Sequence, residues 1–247
     1  MKEITINLKI WRQAGPKEPG SFLNTKLSVS EEISFLEMLD MLNERLISEK
    51  KDPIAFESDC REGICGACSL MVNGIPHGPW DKTTVCQLHM RAFKNNSLIV
   101  VEPFRAKSFP VIKDLVVDRS AFDRIMRAGG FISAKTGSAV DANTVLIKKK
   151  LAETAFDMAS CIGCGACVAA CKNSSAMLFV SSKVAHLSHL PQGDPERQHR
   201  AISMVLKMDE EGFGSCTNTL ECEAVCPKGI NSEAIGVLNH EFLRGCF

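Results

Sequence analysis

The chain has 247 residues, 45% of them hydrophobic and 23% charged, with a formal net charge of zero. That length suits one large domain or two ordinary ones with real cores. The balanced charge argues against nucleic acid as the main partner, because phosphate binding needs a surplus of Lys and Arg, and no apolar run approaches the roughly 20 residues of a membrane-spanning helix.

The first hundred residues read as strands with one helix. The opening MKEITINLKIW alternates polar and apolar residues, unlike a secretory signal, and points to a cytoplasmic setting where thiols stay reduced. Ile4, Ile6, Leu8 and Ile10 give the period of two expected of a half-buried strand. Gly15, Pro16, Pro19 and Gly20 mark a turn, and Leu23, Leu27 and Val29 continue a hairpin. Leu36, Leu39, Leu42 and Leu46 switch to helical spacing, with Ser30 or Ser34 as the cap. Short strands follow at Leu70 and Val72 and at 98–101. This order predicts a sheet of four or five strands with one helix packed on it.

Pro103 and Pro110 bracket an expected interdomain linker. Beyond it the pattern is helical, with candidates at 118–128, 141–157, a turn after Cys167, 195–209 and 231–244. The last opens on Asn231 and Ser232 ahead of Glu233, a predicted capped start. Lys148, Lys149 and Lys150 read as a solvated helix face.

Twelve cysteines dominate the chemistry. In SDCREGICGACSL, Cys60, Cys65 and Cys68 follow C-x4-C-x2-C, and Cys86 comes later. This is the plant-type ferredoxin spacing for a 2Fe–2S cluster. Gly63, Gly66 and Ala67 let the loop fold tightly and aim backbone N–H groups at sulfur. A four-cysteine zinc site is the alternative, but zinc loops favour paired C-x2-C knuckles and only one such pair is present.

CIGCGACVAACK places Cys161, Cys164, Cys167 and Cys171 in the C-x2-C-x2-C-x3-C run of two-cluster ferredoxins, whose fourth cysteine ligates the other cluster. The partner run is SCTNTLECEAVCPKG, with Cys216, Cys222 and Cys226 ahead of Pro227. By this crossing rule Cys226 completes a 4Fe–4S site with Cys161, Cys164 and Cys167. Cys171 joins Cys216 and Cys222. The missing fourth ligand falls at Thr219, whose hydroxyl is a poor partner for a metal that favours soft thiolates. Three thiolates suit a 3Fe–4S cluster; a 4Fe–4S cluster completed by Thr219 or water is the alternative. Cys246 is left over as a free thiol.

Together these features resemble the iron–sulfur subunits of succinate dehydrogenase and fumarate reductase. CREGICGAC at 60–68, Cys86, VIKDLVVDRS at 111–120, CIGCGAC at 161–167 with Cys171, LPQGDPER at 190–197 and CTNTLECEAVCPKGIN at 216–231 carry the resemblance, which spans essentially the whole chain. It implies an α+β fold, with a plant-type ferredoxin β-grasp domain over 1–105 and an all-α bacterial-ferredoxin-like domain over 106–247. It implies an electron carrier with no catalytic residue of its own, bound to a flavoprotein subunit holding FAD. On its other side it implies a membrane anchor that carries haem or quinone, at the cytoplasmic face of the bacterial inner membrane.

Two departures from the family pattern matter. Cys171 is followed by Lys172, Asn173, Ser174 and Ser175, where many members have proline and nearby tryptophans at a quinone site. This suggests that quinone does not bind beside this subunit, and that a cytochrome b anchor with two haems takes the electrons. Lys172 reads either as a residue at the membrane edge or as a plain surface lysine. The stretch between Cys68 and Cys86, with Gly74, Pro76, Gly78 and Pro79, reads as an enlarged surface turn carrying His77. His186, His189 and His199 read as surface residues. Rival readings are glycolate-oxidase-like, heterodisulfide-reductase-like or thiol-linked fumarate reductase carriers, which commonly add C-terminal cysteine repeats not found in this sequence, and a colourless zinc-stabilised binding module.

Overall fold

A computed structural model describes residues 2–133, 141 and 144–247. β1 (Glu3–Arg12) and β2 (Ser21–Ser30) pair antiparallel along their whole length, from Glu3 opposite Ser30 to Arg12 opposite Ser21. The alternation in β1 sends Ile4, Ile6, Leu8 and Ile10 into the core. β3 (Leu70–Val72), β4 (Ile75–Pro76) and β5 (Leu98–Pro103) complete a sheet of order β2-β1-β5-β3-β4, with β5 parallel to β1. α1 (Phe35–Ser48) buries Phe35, Leu36, Leu39, Leu42 and Leu46 in the same core. Of the two serines that the sequence offers as caps, Ser34 is the one used. Its hydroxyl accepts from Glu37 N at 3.2 Å, and the Glu37 carboxylate accepts from Ser34 N at 2.7 Å.

The segment from Pro103 to Pro110 is not a free linker. Phe104 and Phe109 are fully buried, and Phe109 meets Phe122 and Phe213 edge-on at 5.1 and 5.7 Å between ring centres. A small hairpin follows, β6 (Val111–Lys113) with β7 (Val116–Val117). Asp114 at its turn is buried. Its carboxylate accepts from Gln13 N and Ala55 N and pairs with Arg12 at 3.0 Å, which pins the hairpin to the N-terminal sheet.

The remainder is helical: α2 (Ser120–Gly129), α3 (Lys149–Ala159), α4 (Ala166–Ala170), α5 (Met177–Ser188), α6 (Arg197–Glu210), α7 (Glu221–Ala224) and α8 (Glu233–Cys246). Part of the predicted helix 141–157, at 142 and 143, lies outside the described residues; α3 covers its later portion. Lys148 to Lys150 are exposed, as expected for a solvated face. α5 is not among the helices that the sequence pattern predicts. It packs against α3, α6 and α8 and is buried nearly all round, so it carries no one-sided stripe. Its buried hydroxyls at Ser181 and Ser182 donate back to Leu178 O and Phe179 O. At the start of α8 it is Asn231, not Ser232, that caps, its side-chain oxygen accepting from Glu233 N at 3.2 Å. Among the described residues no helix is long and apolar enough to cross a membrane.

Arg200 on α6 is the largest fully buried side chain. It donates to Gly129 O at the end of α2, to Phe131 O and to Gly193 O, all within 3.0 Å, and faces Glu196 at 3.5 Å. Arg200→Met leaves those carbonyls without a donor. A loss of roughly 3 kcal/mol or more is expected, read as a lower urea midpoint at unchanged slope.

Candidate metal centres

All twelve cysteines are free thiols, and eleven of them gather at three places. At the first, the loop after α1 carries Cys60, Cys65 and Cys68, and the short 3-10 turn Val85–Gln87 carries Cys86. Backbone N–H groups point at sulfur as the glycine-rich sequence predicts. Glu62 N donates to Cys60 Sγ at 3.3 Å and Ala67 N to Cys65 Sγ at 3.4 Å. The N–H groups of Glu62 and Ile64 bring the Cys60 thiol down to about 7. Cys68 and Cys86 are in hydrogen-bonding contact. That contact, with Thr84 Oγ1 at 3.2 Å, brings Cys86 down to about 5, while Cys68 is pushed up by the Cys86 thiolate and by burial. Gln87 donates to Arg61 O at 2.6 Å and so ties the Cys86 turn to the cysteine loop.

At the second place, Cys161, Cys164, Cys167 and Cys226 line one cavity, closed by Phe122, Phe179, Pro227 and Ile230. Burial pushes Cys164 up to about 12 and Cys167 far above its ordinary value, reinforced by the charges of the neighbouring cysteines. Burial also raises Cys226, opposed by the N–H groups of Ile230 and Lys228. At the third, Cys171, Cys216 and Cys222 line a separate cavity with Thr219, Ser175 and Leu178. Cys222 is raised by burial and then by the charges of Cys171 and Cys216. Thr219 is exposed and lines that cavity between Cys216 and Cys222. Met158, Leu178, Ile230 and Ile235 form an apolar wall against which cysteines of both cavities pack.

The donor set suits iron–sulfur clusters. Every donor at these places is a soft sulfur. Among the described residues no three His, Cys, Asp or Glu side chains close on a point as a single ion requires. At the second and third places the sulfurs line cavities.

Residues outside the cysteine motifs hold the third site. Asn173 donates to Ser215 O at 3.1 Å and to Thr217 Oγ1 at 3.0 Å, bridging the Cys171 and Cys216 loops. Lys172 is exposed and faces Glu221, beside Cys222, at 3.5 Å; at such exposure the pair contributes little to stability. Asn218 and Leu220 both have positive φ, at 53° and 65°. Leucine rarely adopts that region, so the loop around Thr219 is strained.

His77 is not on a surface turn. β3 and β4 form a tight hairpin, and His77 lies buried behind it, edge-on to Phe104 and accepting from Val85 N. Burial draws it down to about 4, so it is neutral near pH 7. His186 and His189 are half-buried, and His199 is exposed. Cys246 is exposed and apart from the three sites.

Sequence reasoning missed Arg119 and Ser69. Both lie where the first cysteine loop meets the second, and neither stands out in the sequence, Arg119 falling between Asp118 and Ser120 just before α2. The two loops touch so closely that a Cβ on Gly66, whose φ is +73°, would stand 2.3 Å from Ile162 O.

A model of a 2Fe-2S iron-sulfur cluster binding domain matches residues 7–124, and one of a 4Fe-4S dicluster domain matches residues 157–230. These define the class, a protein of two iron–sulfur domains in this order. The succinate dehydrogenase iron-sulfur subunit of Bacillus subtilis (strain 168) is 30% identical over 78% of this chain and 74% of its own length. The fumarate reductase iron-sulfur subunit of Wolinella succinogenes is 30% identical over 81% of each. The chain belongs to this family, the iron–sulfur subunits of succinate dehydrogenase and fumarate reductase, which are oxidoreductase complexes. One subunit of the fumarate reductase (CoM/CoB) of Methanothermobacter marburgensis is 27% identical over 92% of this chain, which spans 42% of that protein. The fold matches a chain of the Mycobacterium smegmatis Sdh1 complex in the apo form, with a TM-score of 0.70, 98% coverage of both and 22% identity.

The Gly66 contact has a direct test. Gly66→Ala is expected to lower the urea midpoint by more than Gly74→Ala. Both pay the left-handed penalty of about 1–2 kcal/mol, but nothing lies within 4 Å of a Cβ on Gly74. Equal losses in the two variants would contradict the close approach.

Proposed function

We propose that this chain is the electron-transfer subunit of a succinate dehydrogenase or fumarate reductase. It passes electrons between the FAD of a flavoprotein subunit and a membrane anchor. The observation that carries the reading is the division of eleven thiols into sets of four, four and three at separate places. Cys60, Cys65, Cys68 and Cys86 hold a 2Fe–2S cluster. Cys161, Cys164, Cys167 and Cys226 hold a 4Fe–4S cluster. Cys171, Cys216 and Cys222 hold a 3Fe–4S cluster, with Thr219 at the open corner. The clusters supply one-electron redox chemistry, and the chain positions, insulates and tunes them.

The same reading gives a plant-type ferredoxin β-grasp domain over 1–105 and a bacterial-ferredoxin-like domain over 106–247 that is helical apart from the β6–β7 hairpin rather than all-α, with the two main cores lying largely one in each. In this reading the chain sits peripherally at the cytoplasmic face of the bacterial inner membrane, held there by the anchor. Residues 172–175 bring no aromatic side chain to the third site, which supports an anchor of the di-haem cytochrome b type that carries quinone away from this subunit.

Iron and acid-labile sulfide measured on the purified chain test this reading. A brown protein whose visible absorption bleaches with dithionite is expected. A colourless protein with bound zinc and no sulfide would overturn it. Thr219→Cys tests the open corner. It is expected to admit a fourth iron and lower that centre's potential; an unchanged Mössbauer spectrum would mean that Thr219 does not mark the vacant position.

A further inference from the structure

Resting on that reading, we propose that Arg119 serves the first two clusters jointly: it fixes the Cys65–Cys68 loop against the Cys164 loop and, as a cation between them, raises the reduction potential of both.

The geometry is specific. Arg119 stands just ahead of α2 with its side chain only 18% exposed. One guanidinium nitrogen donates to Gly66 O, to Ser69 Oγ and to Cys164 O, the last two at 3.2 Å. The other donates to Ala67 O at 3.4 Å and to Glu57 Oε2 at 3.0 Å. The fan therefore reaches backbone of both cysteine loops. Ser69 repeats the bridge, its hydroxyl lying 3.0 Å from Gly66 O and 2.7 Å from Cys164 O. Gly66 makes room for this approach, since any side chain there would strike Ile162 O.

Such a cation acts on redox chemistry. Reduction adds one negative charge to a thiolate-bound cluster, and a fixed positive charge nearby stabilises the reduced form. Burial weakens the screening of that attraction. Glu57 offsets it only partly, because that carboxylate is 42% exposed and solvent screens its charge. None of Arg119's hydrogen-bond partners belongs to the Cys171, Cys216 and Cys222 site, which serves as an internal control.

Potentiometric titration followed by EPR, on the iron-loaded chain and its variants, tests the idea. Arg119→Gln is expected to shift the oxidised-to-reduced ratio of the first two clusters about tenfold toward oxidised at fixed potential, a fall of about 59 mV for a one-electron couple. The third centre should hold its value. Arg119→Lys keeps the charge but not the planar fork. It is expected to lower the thermal midpoint while holding both potentials closer to the parent's. Glu57→Gln removes only the exposed counter-charge and should raise both potentials, which keeps the idea testable if Arg119→Gln does not load. Arg119→Gln that loses thermal stability with both potentials unchanged, or Glu57→Gln that moves neither, would reduce Arg119 to a structural tie. A parent chain without iron and sulfide would instead sink the functional reading.

Discussion

Thiols crowded into buried space resist ionisation, and the structure is organised around that resistance. Burial, with the charges of Cys161 and Cys226, pushes Cys164 up to about 12, and neighbouring thiolates add to the cost of burial at Cys167, Cys222 and Cys226. Thiolates held this closely are stable only with positive charge among them, which iron supplies. The fold therefore presents sulfur from distant segments and leaves the charge balance to the metal. Cys226 reaches the second site from beyond the third, and Cys171 reaches the third from the end of the second motif. The two sites consequently form together around one apolar wall.

The N-terminal half solves the same problem differently. Its sheet and α1 build an ordinary apolar core, and the cysteine loop lies at the edge with backbone N–H groups turned to sulfur. Hydrogen bonds outweigh burial at Cys60 and Cys86, so those two thiols fall, while Cys68, buried beside Cys86, rises as Cys164, Cys167 and Cys226 do at the second site. The halves are joined without a loose linker. Phe104 and Phe109 begin the second core at once, Asp114 clasps the hairpin to the first, and Arg119 with Ser69 closes the junction beside the cysteines. Spacing between redox centres depends on such rigid joins.

Much of this was legible in the sequence. Alternation gave β1 and β2, helical spacing gave α1, α2, α6 and α8, and cysteine spacing named every thiol that the structure gathers. The misses share a physical cause: each depends on what surrounds a residue rather than on what it is. α5 is enclosed on all sides, so its apolar residues show no stripe. His77 sits among glycines and prolines that usually mark exposed turns, yet the tight β3–β4 hairpin carries it inward. The prolines around Phe104 and Phe109 signalled a linker, while the aromatic rings between them signalled burial, and the rings prevailed. Asn173 and Arg119 are ordinary polar residues in the sequence, and their bridging roles exist only once distant loops meet.

The central claim is that the eleven thiols serve three different centres, the last of them one ligand short. Low-temperature EPR of the purified protein, as isolated in air and after dithionite, tests it most directly. The account requires a near-isotropic signal in the oxidised sample, lost on reduction as a 2Fe–2S signal appears. Reduced 2Fe–2S and 4Fe–4S signals with no such oxidised signal would place a fourth iron among Cys171, Cys216 and Cys222 and contradict it.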